Sequence, residues 1–367
     1  MYIPLWIKRF VFLAYRGCAI KRHRLNYLFW ETTLRCNLNC LHCGSDCTKE
    51  SGVKDMPIDD FVQVLDDIKE RNPVKNLTVC ITGGEPLLRN DLELAGQQII
   101  KRGFNWGIVT NGLLFSKQRF LSLLKAGLSS ISFSLDGLES QHIYLRQNKA
   151  SFKKVIEAID IVVAFGKSNP HFVFDIITCV HSQNISVLRE LRTFLIDKGV
   201  TRWRIFSIFP EGRAKDNNLA LTSCEYKMLM DFISETRKFK NSEGKSIHLN
   251  YSCEGYVGPY ELKVRDYFFF CQGGVTVGSV WCNGNVGACL SVRATEFIQG
   301  NIYNEKFMDI WNNRFSHARI RNWAKKGRCA HCKKWNYCLG NGLHLHNDVN
   351  NGVSHCNYDI ICQVLKK

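Results

Sequence analysis

The sequence predicts an α/β protein, a partial (β/α)6 TIM-like barrel followed by an irregular cysteine-rich domain. Two observations lead there. Short apolar, β-prone runs alternate with longer runs at helical spacing through roughly the first two hundred residues. Beyond them the composition shifts to Gly- and Cys-rich sequence. With 367 residues, 45% of them hydrophobic, the chain is long enough for two modules around a large core.

Residues 1–26 form a basic amphipathic arm, in which Lys8, Arg9, Arg16 and the run Lys21-Arg22-His23-Arg24 interleave with Trp6, Phe10 and Phe12. Such a segment either caps the barrel bottom as a helix, lies on an anionic membrane surface, or holds an acidic leader peptide. Lys8-Arg9 breaks its apolar run and no small-residue cleavage site follows, so no signal peptide is expected. No apolar run of about 18 residues occurs, so no membrane span is expected either. The expected location is the cytoplasm, with at most peripheral contact at the inner membrane face.

The barrel is expected over 27–215. Its strands fall at 28–32, 77–82, 105–110, 130–136, 172–180 and 202–209, and its helices at 58–71, 91–102, 117–126, 152–165 and 185–198. A complete eight-unit barrel would need about 250 residues, and the alternation stops near Pro210, so six units are expected. Residues 216–265 read as a helical linker and 266–367 as the Cys-rich domain. The net charge of +16 calls for an acidic partner. No nucleic-acid recognition motif accompanies it, so nucleic acid is not expected.

Seventeen cysteines in a chain without a secretory signal point to metal rather than disulfides. The tightest group is Cys36-x3-Cys40-x2-Cys43, directly after the first strand, at the end where barrels carry their chemistry. Three thiolates so close can hold three corners of a [4Fe–4S] cluster and leave its fourth iron open. Zinc is the alternative, with Cys47 at the right spacing for a fourth ligand.

Together with Gly83-Gly84-Glu85-Pro86, the triplet resembles the radical S-adenosylmethionine (SAM) superfamily. In that family the open iron chelates SAM and passes it one electron, and a C–S bond breaks to give a 5′-deoxyadenosyl radical. The resemblance implies that the Gly83-Gly84-Glu85 loop receives the SAM amino group. It implies further that Asn111, Ser134 and Asp136 lie at the ribose, that Arg146 pairs with the SAM carboxylate, and that Val180 lines the adenine. Glu85, Asp136 and Arg146 are thus expected to serve SAM rather than the fold.

Farther along, Cys271-x12-Gly284-x4-Cys289 and Cys329-x2-Cys332-x5-Cys338, followed by Cys356, resemble the SPASM extension, which holds auxiliary [4Fe–4S] clusters. Zinc is again the alternative for the CxxC pair. With the barrel motifs, the resemblance spans residues 28 to 362. One departure is Gly342, where the fuller pattern has a further cysteine. The first auxiliary cluster is then left with Cys271, Cys289 and either Cys282 or Cys253, so it either keeps an open iron for a substrate thiolate or is absent. Cys329, Cys332, Cys338 and Cys356 suffice for the second. Leu290 and Ser291 stand where sulfatase-maturing relatives carry an aspartate base, which disfavours that reaction.

The resemblance implies an enzyme that modifies a ribosomal peptide or protein by cross-link, thioether, epimerisation or oxidation. Its implied partners are that substrate, a lipoprotein precursor among the options, and an electron donor such as flavodoxin or ferredoxin. Two other readings stand beside it: a small-molecule or tRNA-modifying enzyme of the same superfamily, and a non-enzymatic iron–sulfur or zinc scaffold.

Overall fold

In the computed structural model residues 3–72, 77–208, 212–252, 255–346 and 352–365 are described; Cys253 and Pro210 fall outside them. After helix α1 (Leu5–Arg22) come β1 (Tyr27–Thr33), α2 (Ile58–Arg71), β2 (Thr78–Gly83), α3 (Leu92–Lys101), β3 (Asn105–Thr110), α4 (Lys117–Lys125) and β4 (Leu128–Ser134). Next are α5 (Glu139–Arg146), α6 (Ser151–Gly166), β5 (Val173–Val180), α7 (Leu188–Asp197) and β6 (Arg202–Ser207). The alternating runs become strands and helices because each buries one apolar surface against the other. In α2, Phe61, Val64, Leu65 and Ile68 recur at helical spacing on the buried face, and Phe61 stacks on Trp30 of β1 at 4.0 Å.

The sheet runs β1-β2-β3-β4-β5-β6 in parallel, as six units require, but it does not end there. Helices α8 (Arg213–Asp216) and α9 (Ser223–Thr236) lead to β7 (His248–Tyr251), which pairs in parallel with β6. The alternation therefore continues past Pro210, and the expected helical linker contributes an edge strand. A run of four residues beside a Lys- and Ser-containing turn is too short for its periodicity to register.

The Cys-rich region adds β8 (Val277–Val280), β9 (Asn285–Gly287) and β10 (Gly300–Asn301), then helix α10 (Phe307–Asn313). Strand β8 pairs in parallel with β1 from Tyr27↔Val277 to Trp30↔Val280, and β9 and β10 extend it antiparallel. The full order is β10-β9-β8-β1-β2-β3-β4-β5-β6-β7. Helix α1 rests through Phe12 on Phe268, Phe270 and Val275, the segment that leads into β8. Among the described residues no helix is long and apolar enough to cross a membrane.

Candidate active site

The loop after β1 carries the cysteine triplet and is clamped from three directions. Leu41 N–H donates to Leu145 O on α5 at 2.9 Å, Cys36 N–H to Thr48 O at 2.7 Å, and Arg213 Nε to Cys40 O at 2.9 Å. Arg213 also reaches Asn39 Oδ1 and Cys47 O. Each sulfur has a donor nearby: Asn111 Nδ2 at 4.0 Å from Cys36, Arg146 Nη1 at 3.7 Å from Cys40, and Cys47 N–H at 3.4 Å from Cys43. Burial pushes the Cys36 thiol up to about 12 and raises Cys40, whereas hydrogen bonding from Cys47 draws Cys43 down to about 5. Closely spaced sulfurs that each meet a hydrogen-bond donor suit the thiolate ligands of a cluster. Cys36, Cys40 and Cys43 would hold it at the edge of a cavity of about 230 Å³.

The glycines after β2 let two backbones touch. At Gly83, with φ of +139°, a Cβ would lie 2.2 Å from Thr33 O, and at Gly84 one would lie 2.1 Å from Arg35 O. No side chain fits between this loop and the triplet. Glu85 is fully buried, and its carboxylate accepts from Leu87 N–H at 3.1 Å, Thr110 Oγ1 at 2.7 Å and Asn111 N–H at 2.8 Å. It ties the ends of β2 and β3 together, so its role in the structure is internal.

Asp136 and Arg146 are likewise paired with each other. Arg146 Nε donates to Asp136 Oδ2 at 2.6 Å, and Cys179 N–H to Asp136 Oδ1 at 2.9 Å. Burial alone would lift the Asp136 carboxyl, but Arg146, His42 and His142 pull it well below the usual range. The pair is thus a buried strut between the end of β4 and α5, and Arg146 also faces the cavity. Ser134 and Asn111 line that cavity too. Val180 is fully buried in the barrel core, and its neighbour Cys179 faces the larger cavity instead.

His142 gives this region a pH dependence. Burial pushes it down to about 4, and Asp136 N–H donates to its Nδ1 at 3.2 Å, so the folded chain keeps it neutral. The unfolded chain protonates it near its ordinary value of about 6.5. Stability is full above that pH and falls as pH drops from 6.5 towards 4, by about 1.4 kcal/mol per pH unit for one proton. Melting curves between pH 4 and 7 should show a shallower slope in His142→Gln than in the parent; equal slopes would refute it.

A second cavity, about 670 Å³, adjoins the first at the C-terminal ends of the strands. Its walls are Glu31, Thr82, Cys179 and Ser207 from the barrel, and Leu290 to Ala294 with His344 and His346 from the Cys-rich region. Glu31, 1% exposed, pairs with Arg293, which also donates to Ser45 Oγ at 2.6 Å and lies over the Trp281 ring. Sequence reasoning missed this pair, although a lone carboxylate in the apolar run Leu28-Phe29-Trp30-Glu31 was a signal.

Cys329, Cys332, Cys338 and Cys356 surround a cavity of about 220 Å³ with Trp335, Asn341 and Tyr358. Lys334 N–H donates to Cys332 Sγ at 3.4 Å and Asn341 N–H to Cys338 Sγ at 3.2 Å. Burial, with Cys356 and Cys332 beside it, pushes Cys329 up to about 11, and burial takes Cys338 to about 12, so this quartet fits a fully ligated cluster. Cys271 and Cys289 are neighbours, with the buried Arg321 beside Cys271. Cys282 is not with them. Its thiol donates to Lys54 O at 2.9 Å and its N–H to Glu31 Oε2, because the turn after β8 points it at the end of β1. It is therefore corrected as a ligand of the first auxiliary cluster.

The family model of the Radical SAM superfamily matches residues 30–195, and that of the SPASM iron–sulfur cluster-binding domain residues 271–333. The chain is 24% identical over 330 residues to an AdoMet-dependent heme synthase of Oleidesulfovibrio alaskensis, covering 85% of this chain and 81% of that protein. It is 26% identical over 316 residues to mycofactocin maturase MftC of Mycolicibacterium smegmatis, covering 85% and 76%. The structure of Streptococcus suis SuiB bound to precursor peptide SuiA has the same fold, with a TM-score of 0.69 at 16% identity over 93% of this chain and 78% of that one. Sequence motifs, cysteine cradles and both family models agree: the chain is a radical SAM enzyme with a SPASM domain, and its cofactors are a [4Fe–4S] cluster, SAM and one or two auxiliary iron–sulfur clusters.

Proposed function

We propose that this enzyme modifies an acidic segment of a ribosomal peptide or protein. When bound, the open cluster and SAM supply the 5′-deoxyadenosyl radical. The chain's own part is to hold the substrate residue beside the SAM cradle, and the observation that carries the reading is the cavity at the strand ends. It shares His42, Gly44, Ser45, Thr82 and Gly83 with the cluster cavity, so what enters it meets SAM. Among the described residues that line it, Arg293 and Glu31 neutralise each other and Lys215 leaves the lining net positive. A cationic lining favours carboxylate side chains of the substrate. The maturase name of one relative and the peptide-bound structure of another support the peptide.

The heme synthase relatives favour a second reading, a carboxylate-bearing small molecule in the same cavity. Reconstituted enzyme, SAM and dithionite should change the mass of a peptide encoded beside this gene, read by mass spectrometry. Turnover of an iron tetrapyrrole with no change in any such peptide would overturn the proposal and support the second reading.

A further inference from the structure

Among the described residues, helix α1 packs one apolar side on the protein and leaves other apolar side chains exposed. On the packed side Phe12 meets Phe268 and Phe270 at ring distances of 5.3 and 6.2 Å. Arg16, also buried, donates to Tyr337 O at 2.9 Å and Asn336 O at 2.7 Å, which fastens the helix to the segment carrying Cys338.

Another part of its surface is exposed. Trp6 and Phe10, four residues apart on one face, are each 70% exposed, and Ile3, just before the helix, is 50% exposed. Tyr15, on the opposite side of the helix, turns instead to Phe270 at a ring distance of 6.1 Å. Exposed large apolar side chains on one helix face mark an interaction site. The helix carries the cations Lys8, Arg9, Arg16, Lys21 and Arg22 and no acidic residue. Lys8, Lys21 and Arg22 are exposed, as is Arg24 just beyond the helix.

The charge decides between occupants. A second copy of α1 would bring like charges together. An anionic bilayer satisfies both halves of the surface: the Trp6 ring sits at headgroup depth, Ile3 and Phe10 reach the acyl boundary, and Lys and Arg meet the acidic headgroups.

We propose that α1 and the residues leading into it form an interfacial anchor that docks the enzyme on an anionic membrane surface through Ile3, Trp6 and Phe10. The test is co-sedimentation of the full chain with vesicles of phosphatidylcholine alone or with about one-third phosphatidylglycerol. Binding should be at least about tenfold tighter to the anionic vesicles, and Trp6→Ser/Phe10→Ser should weaken it by about tenfold or more. Both side chains are exposed, so the fold is retained. Trp6→Phe should keep the binding while losing quenching of tryptophan emission by acyl-brominated lipid. Equal binding of the double variant and the parent, no binding to either vesicle, or a dimer that the double variant abolishes would overturn the proposal.

Discussion

Replacing Cys36, Cys40 and Cys43 together by alanine is expected to abolish conversion of SAM to 5′-deoxyadenosine while the protein stays folded. The three sulfurs form a small cluster of their own with Leu38 and Cys47, separate from the main barrel core. Their loss therefore removes the iron site without opening a cavity in that core. Chromatography of anaerobic reactions reads the product, and cleavage at the parent's rate would refute the assignment. The same variant counts the auxiliary clusters. With Cys282 turned towards Lys54 and Glu31, only the quartet Cys329, Cys332, Cys338 and Cys356 is assembled among the described residues. About four irons should therefore remain. About eight would show that Cys271 and Cys289 recruit further ligands, and retained zinc would remove the auxiliary-cluster assignment.

Asp136→Asn should be the most destabilising isosteric change near the site. The side chain keeps its shape but loses the charge that compensates Arg146, which is 7% exposed and 3.7 Å from Cys40 Sγ. Breaking one partner of a buried pair costs about 3–5 kcal/mol. The melting temperature of the apo-protein should drop by several degrees, and SAM affinity should weaken because Arg146 is no longer held in place. An unchanged melting temperature would show that the pair is not a strut.

The barrel was legible because its evidence is local and repeated: six apolar runs, the first five each followed by a helix with one buried face. Strand ends shifted by a residue or two, as hydrogen bonding rather than hydropathy sets them. Strands β7 and β8, four residues each, carried too little pattern to find. The cysteine triplet was legible for the same local reason. Pairs remote in sequence were not: Glu31 and Arg293 meet across 262 positions, which no spacing rule reveals. Cys282 shows the converse error, since a cysteine near two others in sequence need not face them once a hairpin turns. Glu85 and Asp136 were noticed as polar groups at strand ends, but only the fold shows that their acceptors are used internally.

The pairing of β1 with β8 imposes a timetable on synthesis. β1 is the first strand made, yet one of its two neighbours lies about 250 residues later in the chain. At about 5–20 residues per second, the ribosome leaves that edge without its partner for roughly 10 to 50 s. An open strand edge flanked by apolar side chains is a template for wrong pairing. The nascent chain must be shielded over that interval, and a fragment cut before residue 277 would keep the exposed edge permanently. Expression of the isolated barrel should accordingly yield aggregate, because the Cys-rich module completes the sheet edge that the barrel leaves open.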